Sequence, residues 1–123
     1  KRDFTYIDDL VMGVRLLIDV VPSSSASDKN NISKNENKSP VAPFRIVNIG
    51  NSNPESLMDF ISALEKSLEL KAKKNLMAMQ AGDVSSTWAD TSLLEHLTGY
   101  KPKTNIYDGV SKFVTWYKSY YHN

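Results

Sequence analysis

Two segments of this sequence carry groups suited to gripping an anionic, hydroxylated ligand. The first is Arg2, on a short run of strand-type residues, Phe4, Tyr6 and Ile7, that leads into a helix. A guanidinium presents its donors as a planar fork, which suits phosphate. The second is the turn Gln80-Ala81-Gly82-Asp83, followed by Trp88-Ala89-Asp90. Glycine lets backbone approach a ligand closely, and a carboxylate accepts hydrogen bonds from vicinal hydroxyls such as those of a ribose. An aspartate in such a turn also serves simply as a turn former.

Catalytic groups are missing from the rest of the chain. Among the five glycines there is no G-x-G-x-x-G and no Walker A motif. His96 and His122 stand alone and read as solvated side chains. No H-E-x-x-H occurs, and no tyrosine is followed four residues later by lysine. Asp8 and Asp9 read as helix caps, because neighbours on a helix do not face the same way. The absence of cysteine removes a disulfide framework, a thiolate zinc site and a cysteine nucleophile, and fits a reducing compartment. The residues alone therefore point to binding, with no catalytic, cofactor or metal residues to assign.

Length and charge bound the answer further. One domain is expected for 123 residues. A net charge of +1 is far from that of a nucleic-acid binder. No apolar run approaches the ~18 residues of a membrane span, and no signal peptide is visible. These features fit a cytoplasmic protein with neither nucleic-acid nor membrane partners. The abrupt opening, Lys1 directly against a strand with no initiator Met, reads as part of a longer protein.

The elements that must hold the two segments follow from periodicity. Leu10, Val11, Val14, Leu17, Ile18 and Val21 predict a helix from about Asp9 to Val21, capped by Asp8 or Asp9 and stopped by Pro22. Gly13 inside it implies close packing against a neighbour. Residues 23–43 contain almost nothing to bury and read as a mobile polar loop. Residues 44–49 predict a buried strand. A helix follows, capped by Ser52 or Asn53, with Pro54 near its first turn and Leu57, Phe60, Ile61, Leu64 and Leu68 as its stripe. A second strand is expected over Lys71 to Met79, its Lys71, Lys73 and Lys74 guarding an edge. A short helix carries Leu93, Leu94 and Leu97, capped by Asp90 or Ser92, with Gly99 just past its end. The last helix starts near Thr104 or Asn105 and buries Ile106, Val110, Phe113, Val114 and Tyr117. Strand, turn and helix in this order predict an α/β fold, with helices packed on a small sheet.

Taken together, these segments resemble the C-terminal part of the extended short-chain dehydrogenase/reductase family, the NAD-dependent nucleotide-sugar epimerases and dehydratases. The resemblance is carried by Arg2-Asp3-Phe4-Thr5-Tyr6-Ile7-Asp8-Asp9, Asn48-Ile49-Gly50-Asn51-Ser52, Leu57-Met58-Asp59-Phe60-Ile61 with Ala63-Leu64-Glu65-Lys66, Met79-Gln80-Ala81-Gly82-Asp83-Val84, Trp88-Ala89-Asp90-Thr91-Ser92 and Thr98-Gly99-Tyr100-Lys101-Pro102. It continues in the helix from Gly109-Val110 to Trp116-Tyr117 and covers nearly the whole chain. The wording is nearest to that of the UDP-glucuronate 4-epimerases, which supply surface-polysaccharide precursors.

The resemblance implies that Arg2 holds the diphosphate of a UDP-sugar and Asp83 its ribose. Many relatives have a second diphosphate arginine where this chain has Gln80, which donates a hydrogen bond without neutralising charge. The family's Rossmann core, which binds NAD and carries the catalytic tyrosine and lysine, is not in these residues. The resemblance thus implies a substrate-binding region that is catalytically incomplete alone, in an intact enzyme expected to be a homodimer. Other nucleotide-sugar epimerases or dehydratases remain alternatives, as does a stand-alone binding or interaction module.

Overall fold

The computed structural model describes residues 1–22 and 43–121. In chain order these form β1 (Arg2–Asp3), α1 (Ile7–Ile18), β2 (Pro54–Glu55), α2 (Leu57–Leu68), α3 (Ser92–Thr98) and α4 (Ile106–Tyr121). This is the expected small α/β arrangement. Its sheet is a single antiparallel pair, with Arg2 opposite Glu55 and Asp3 opposite Pro54. The helices pack in two pairs, α2 on α4 and α1 on α3. The mobile polar loop expected over residues 23–43 lies, apart from Pro43, outside the described residues.

The α2/α4 pair holds the larger core. Ala63, Ile106, Val110 and Val114 are buried there, with Phe4, Phe60, Leu64 and Leu68 packed around them. Phe4 stacks on Phe60 with ring centroids 4.7 Å apart. A stacked pair adds about 0.5–1.5 kcal/mol beyond its burial. It fastens the chain just after β1 to α2. In the α1/α3 pair Gly13 is buried, and a Cβ there would lie 3.3 Å from Ile49 and 3.6 Å from Leu94. That is the close approach the sequence implied.

Several boundaries differ from expectation, for identifiable reasons. α1 begins at Ile7 and ends at Ile18, and neither Asp8 nor Asp9 caps it; Tyr6 holds that position without a side-chain bond. The Asp9 carboxylate is occupied elsewhere. It accepts from the Tyr100 hydroxyl at 2.8 Å and from the backbone N–H groups of Lys103 and Thr104 at 3.2 and 2.9 Å. α2 starts later than expected, because pairing with β1 claims Pro54 and Glu55. Its cap is Ser56, whose Oγ accepts the Asp59 N–H at 3.0 Å. Ser52 instead adopts a left-handed φ of 55° and gives its hydroxyl to the Ala89 carbonyl at 2.8 Å.

Two expected strands do not form. Residues 44–49 form no strand beyond an isolated bridge at Arg45, and Phe44 and Ile46 are 53% and 61% exposed. A strand is buried only when neighbours cover it, and the described residues cover one face alone. Residues 71–79 carry no strand and are exposed throughout. Lys71 and Lys74 turn to Glu65 rather than guard a sheet edge. The C-terminal half meets expectation more closely. Gly99 closes α3 with φ 68°, its N–H bonding to the Glu95 carbonyl at 2.8 Å. Asn105 Oδ1 caps α4 by accepting the Asp108 N–H at 2.9 Å. Phe113 and Tyr117, expected to be buried on α4, are 48% and 41% exposed; they flank the Ile106–Val110–Val114 line rather than lie on it. Among the described residues no helix is long and apolar enough to cross a membrane.

The Asp9–Tyr100 link makes stability depend on pH at both extremes. Burial pushes the Asp9 carboxyl up, but the hydrogen bonds from Thr104, Tyr100 and Lys103 outweigh it and hold the group below its ordinary 3.8. A depressed carboxyl stabilises the fold above its unfolded pKa, and that stability is lost as pH falls through the folded value. Tyr100 is pushed up to about 12 by burial and by the Asp9 carboxylate. Its contribution is complete below its ordinary 10 and is lost as pH climbs toward 12. Tyr100→Phe should lower stability by about 1 kcal/mol at neutral pH. Denaturant titrations of both proteins at pH 3, 7 and 11 check this; the gap between them should be widest at pH 7.

Candidate functional site

The site begins with strand alternation. In β1 successive side chains point to opposite faces, so Arg2 and Asp3 diverge. Asp3 turns inward. Its Oδ1 accepts the Asn51 N–H at 3.1 Å, and its Oδ2 accepts those of Ser52 at 3.1 Å and Ala89 at 3.0 Å. One carboxylate thereby ties β1 to the loop after residue 49 and to the segment before α3. Gly50 is obligatory beside it. A Cβ there would sit 2.7 Å from the Ala89 Cβ and 2.8 Å from Asp3 Oδ2.

Arg2 turns the other way, toward the turn at residues 80–83. Nη2 meets Asp83 Oδ1 at 2.8 Å, and Nη1 donates to the carbonyls of Val84 at 2.8 Å and Lys1 at 2.9 Å. The turn is closed by the Asp83 N–H on the Gln80 carbonyl at 3.2 Å, with Gly82 at φ 87°. A second strap joins the same segments, from the Thr87 N–H to the Lys1 carbonyl at 3.2 Å. The residues expected to hold phosphate and ribose, 81 positions apart in the chain, are therefore in direct contact.

This pair is poised rather than locked. The two side chains are 41% and 52% exposed, and exposed ion pairs contribute only about 0–1 kcal/mol. A guanidinium has five N–H donors, and the named contacts use three of them. Two donors remain for an anion, and a charge-assisted bond to one contributes about 1.5–3 kcal/mol. On the Asp3 side of β1, and lined by neither Arg2 nor Asp83, lies a cleft of about 300 Å³ whose walls include Thr5, Asn48, Gly50, Thr87 and Trp88. Trp88 is 66% exposed there.

Gln80 shares the turn through its backbone carbonyl, and its residue is exposed. Asp90 serves structure: it accepts the Ser92 N–H at 2.9 Å, and that bonding holds its carboxyl below the ordinary range. Asp3 was not singled out from sequence, although its place next to Arg2 in a strand was the available signal. No cluster of metal-ligating side chains occurs among the described residues. The five glycines are dispersed through the fold. Gly13 and Gly109 are inside helices, Gly99 ends one, Gly82 is in a turn and Gly50 packs on Asp3 and Ala89.

Comparison with known proteins finds relatives over nearly the whole chain. No protein-family model matches the chain. It is 43% identical over 98% of its length to a probable UDP-glucuronate 4-epimerase of Rhizobium meliloti, of which it covers 35%. It is likewise 43% identical over 98% of its length to UDP-glucuronate 4-epimerase 4 of Arabidopsis thaliana, covering 26% of that protein. A crystal structure of UDP-glucuronic acid 4-epimerase from Bacillus cereus, in complex with UDP-4-deoxy-4-fluoro-glucuronic acid and NAD, superposes with a TM-score of 0.69 at 31% identity. That match covers 97% of this chain and 32% of the other. The chain thus spans only 26–36% of the curated relatives it matches, at their C-terminal end. Over nearly its whole length, this chain is similar to the C-terminal part of proteins that include UDP-glucuronate 4-epimerases, and it spans about a third of their length or less.

Proposed function

We propose that this chain is the UDP-sugar-binding part of an NAD-dependent UDP-glucuronate 4-epimerase and is catalytically incomplete by itself. The observation that carries the reading is the Arg2–Asp83 contact at 2.8 Å, which sets a phosphate-type cation beside a ribose-type acceptor. The homologues over 98% of the chain support the same reading.

The roles divide by chemistry. Arg2 neutralises the diphosphate, Asp83 receives the ribose hydroxyls, and Gln80 donates to the ligand without adding charge. Binding energy gathered on the nucleotide, far from the reacting carbon, orients the sugar for reaction. In the intact enzyme NAD supplies transient hydride removal and return at C4 of the sugar. NAD and the catalytic acid–base groups belong to residues outside this chain. The exposed apolar face of α1, with Val11, Val14 and Ile18, together with Phe44 and Ile46, is where that Rossmann domain packs. The product would feed surface-polysaccharide synthesis in the cytoplasm, and the intact enzyme would be a homodimer.

Titration calorimetry with UDP-glucuronate, UDP and uridine on the full-length protein tests the binding role. The reading expects UDP to retain most of the affinity and uridine to lose it. Equal affinity for UDP and uridine would remove the diphosphate role from Arg2.

A further inference from the structure

Between the end of α2 and the turn at Gln80, residues 70–79 run exposed and without regular structure. Leu76 and Met77 in this run are 79% and 83% exposed, so packing does little to order it. Its first part is nonetheless tethered, and the tether is one side chain. Glu65, in the last turns of α2, accepts the Ala72 N–H at 2.9 Å and the Lys74 ammonium at 2.5 Å on the same Oε1. Its Oε2 lies 3.6 Å from the Lys71 ammonium, and its backbone carbonyl accepts the Leu70 N–H at 3.2 Å. The Glu65 side chain is only 10% exposed, against 31% for Lys74 and 90% for Lys71. The carboxylate is thus the inner member of the cluster, with the run folded over it. At the far end, Arg2 holds Asp83 and the Val84 carbonyl.

We infer that Glu65 is a positioning residue for the UDP-sugar site: it anchors the start of the 70–79 segment, so that the turn carrying Gln80 and Asp83 reaches the ligand already ordered. The inference rests on the binding role proposed for that turn. Glu65 touches no ligand in this scheme. It acts by lowering the ordering cost that binding would otherwise meet. The chain between Glu65 and Asp83 has two fixed ends, and releasing the Glu65 end leaves the turn held from its C-terminal side, by Arg2 and by the strap from Thr87 to Lys1.

The test uses the full-length protein and its Glu65→Gln and Lys74→Met variants, with two readouts. Titration with UDP-glucuronate should show affinity weakened about tenfold in Glu65→Gln and less in Lys74→Met, which leaves Ala72 tethered. Limited trypsin digestion should cut after Lys71, Lys73 or Lys74 several-fold faster in Glu65→Gln, and UDP-glucuronate should slow that cutting. Unchanged affinity with faster cutting would overturn the inference, since the tether would then be local structure only. Unchanged cutting after Lys71 and Lys73, the two sites both variants keep, would overturn it as well. If the unsubstituted protein binds no UDP-sugar, the binding reading itself fails, whereas the cutting rates still report whether the tether exists.

Discussion

Arg2→Ala should weaken UDP-glucuronate binding to the full-length protein by about 10- to 100-fold, the equivalent of one charge-assisted contact of about 1.5–3 kcal/mol. The fold should survive, because the lost ion pair with Asp83 is exposed and contributes at most about 1 kcal/mol. Affinity and stability therefore separate in this variant. Arg2→Lys should recover only part of the affinity. An ammonium keeps the charge but cannot present a planar fork to the diphosphate, nor reach Asp83, Val84 and Lys1 together as the guanidinium does. The affinity ratio between UDP and uridine is the readout that isolates the effect. It should fall toward unity in Arg2→Ala. Gln80 cannot compensate, since it carries no charge.

Asp3→Ala should do the opposite and act first on the fold. Three backbone N–H groups, those of Asn51, Ser52 and Ala89, lose their acceptor at a partly buried junction. Each unsatisfied donor costs about 1–3 kcal/mol where water cannot replace the acceptor, and less where it can. A net loss of about 3 kcal/mol is expected, lowering the melting temperature by roughly 10 °C. Ligand affinity should drop as a consequence, because β1 no longer presents Arg2 at a fixed place. Asp3→Asn is the informative companion. Its amide oxygen accepts some of the same bonds, but its NH₂ group replaces an acceptor oxygen with donors, so at least one of the three contacts is lost. Thermal melts with and without UDP should rank the proteins as unsubstituted, Asn, then Ala. Asp3→Ala melting within 2 °C of the unsubstituted protein would show that the junction is held by something else.

The two variants also show what could be read from the sequence and what could not. Arg2, Gln80 and Asp83 stand out in the sequence because each is a chemically marked residue in a locally marked setting, a strand-type run or a glycine turn; the fold brings Arg2 and Asp83 into contact, while their binding roles are proposals. Gly13 and Gly99 were legible for the same reason: a glycine inside a helix demands a close neighbour, and one just past a helix demands a left-handed cap. Asp3, Asp9 and Glu65 were not. Each works by accepting backbone N–H groups from elsewhere, and for Asp3 and Asp9 those partners lie 48 to 95 positions away. No periodicity records such a bond. Residues 44–49 and 71–79 were misread because a strand is a property of the pair. β-type composition describes one member and says nothing of the partner. Ser52 was misread as a cap because a serine before a proline and a glutamate fits a helix start. The bond it makes is to the segment before α3.

The central claim is that this chain serves a UDP-glucuronate 4-epimerase. Its most direct test is to incubate the full-length protein with UDP-glucuronate and NAD and follow the sugar C4 configuration by proton NMR. The account predicts that UDP-glucuronate and UDP-galacturonate approach one equilibrium mixture from either side, and that Arg2→Ala slows the approach at limiting substrate. Turnover of UDP-glucose or dTDP-glucose with UDP-glucuronate left unchanged would contradict it, and would move the chain to another nucleotide-sugar epimerase or dehydratase.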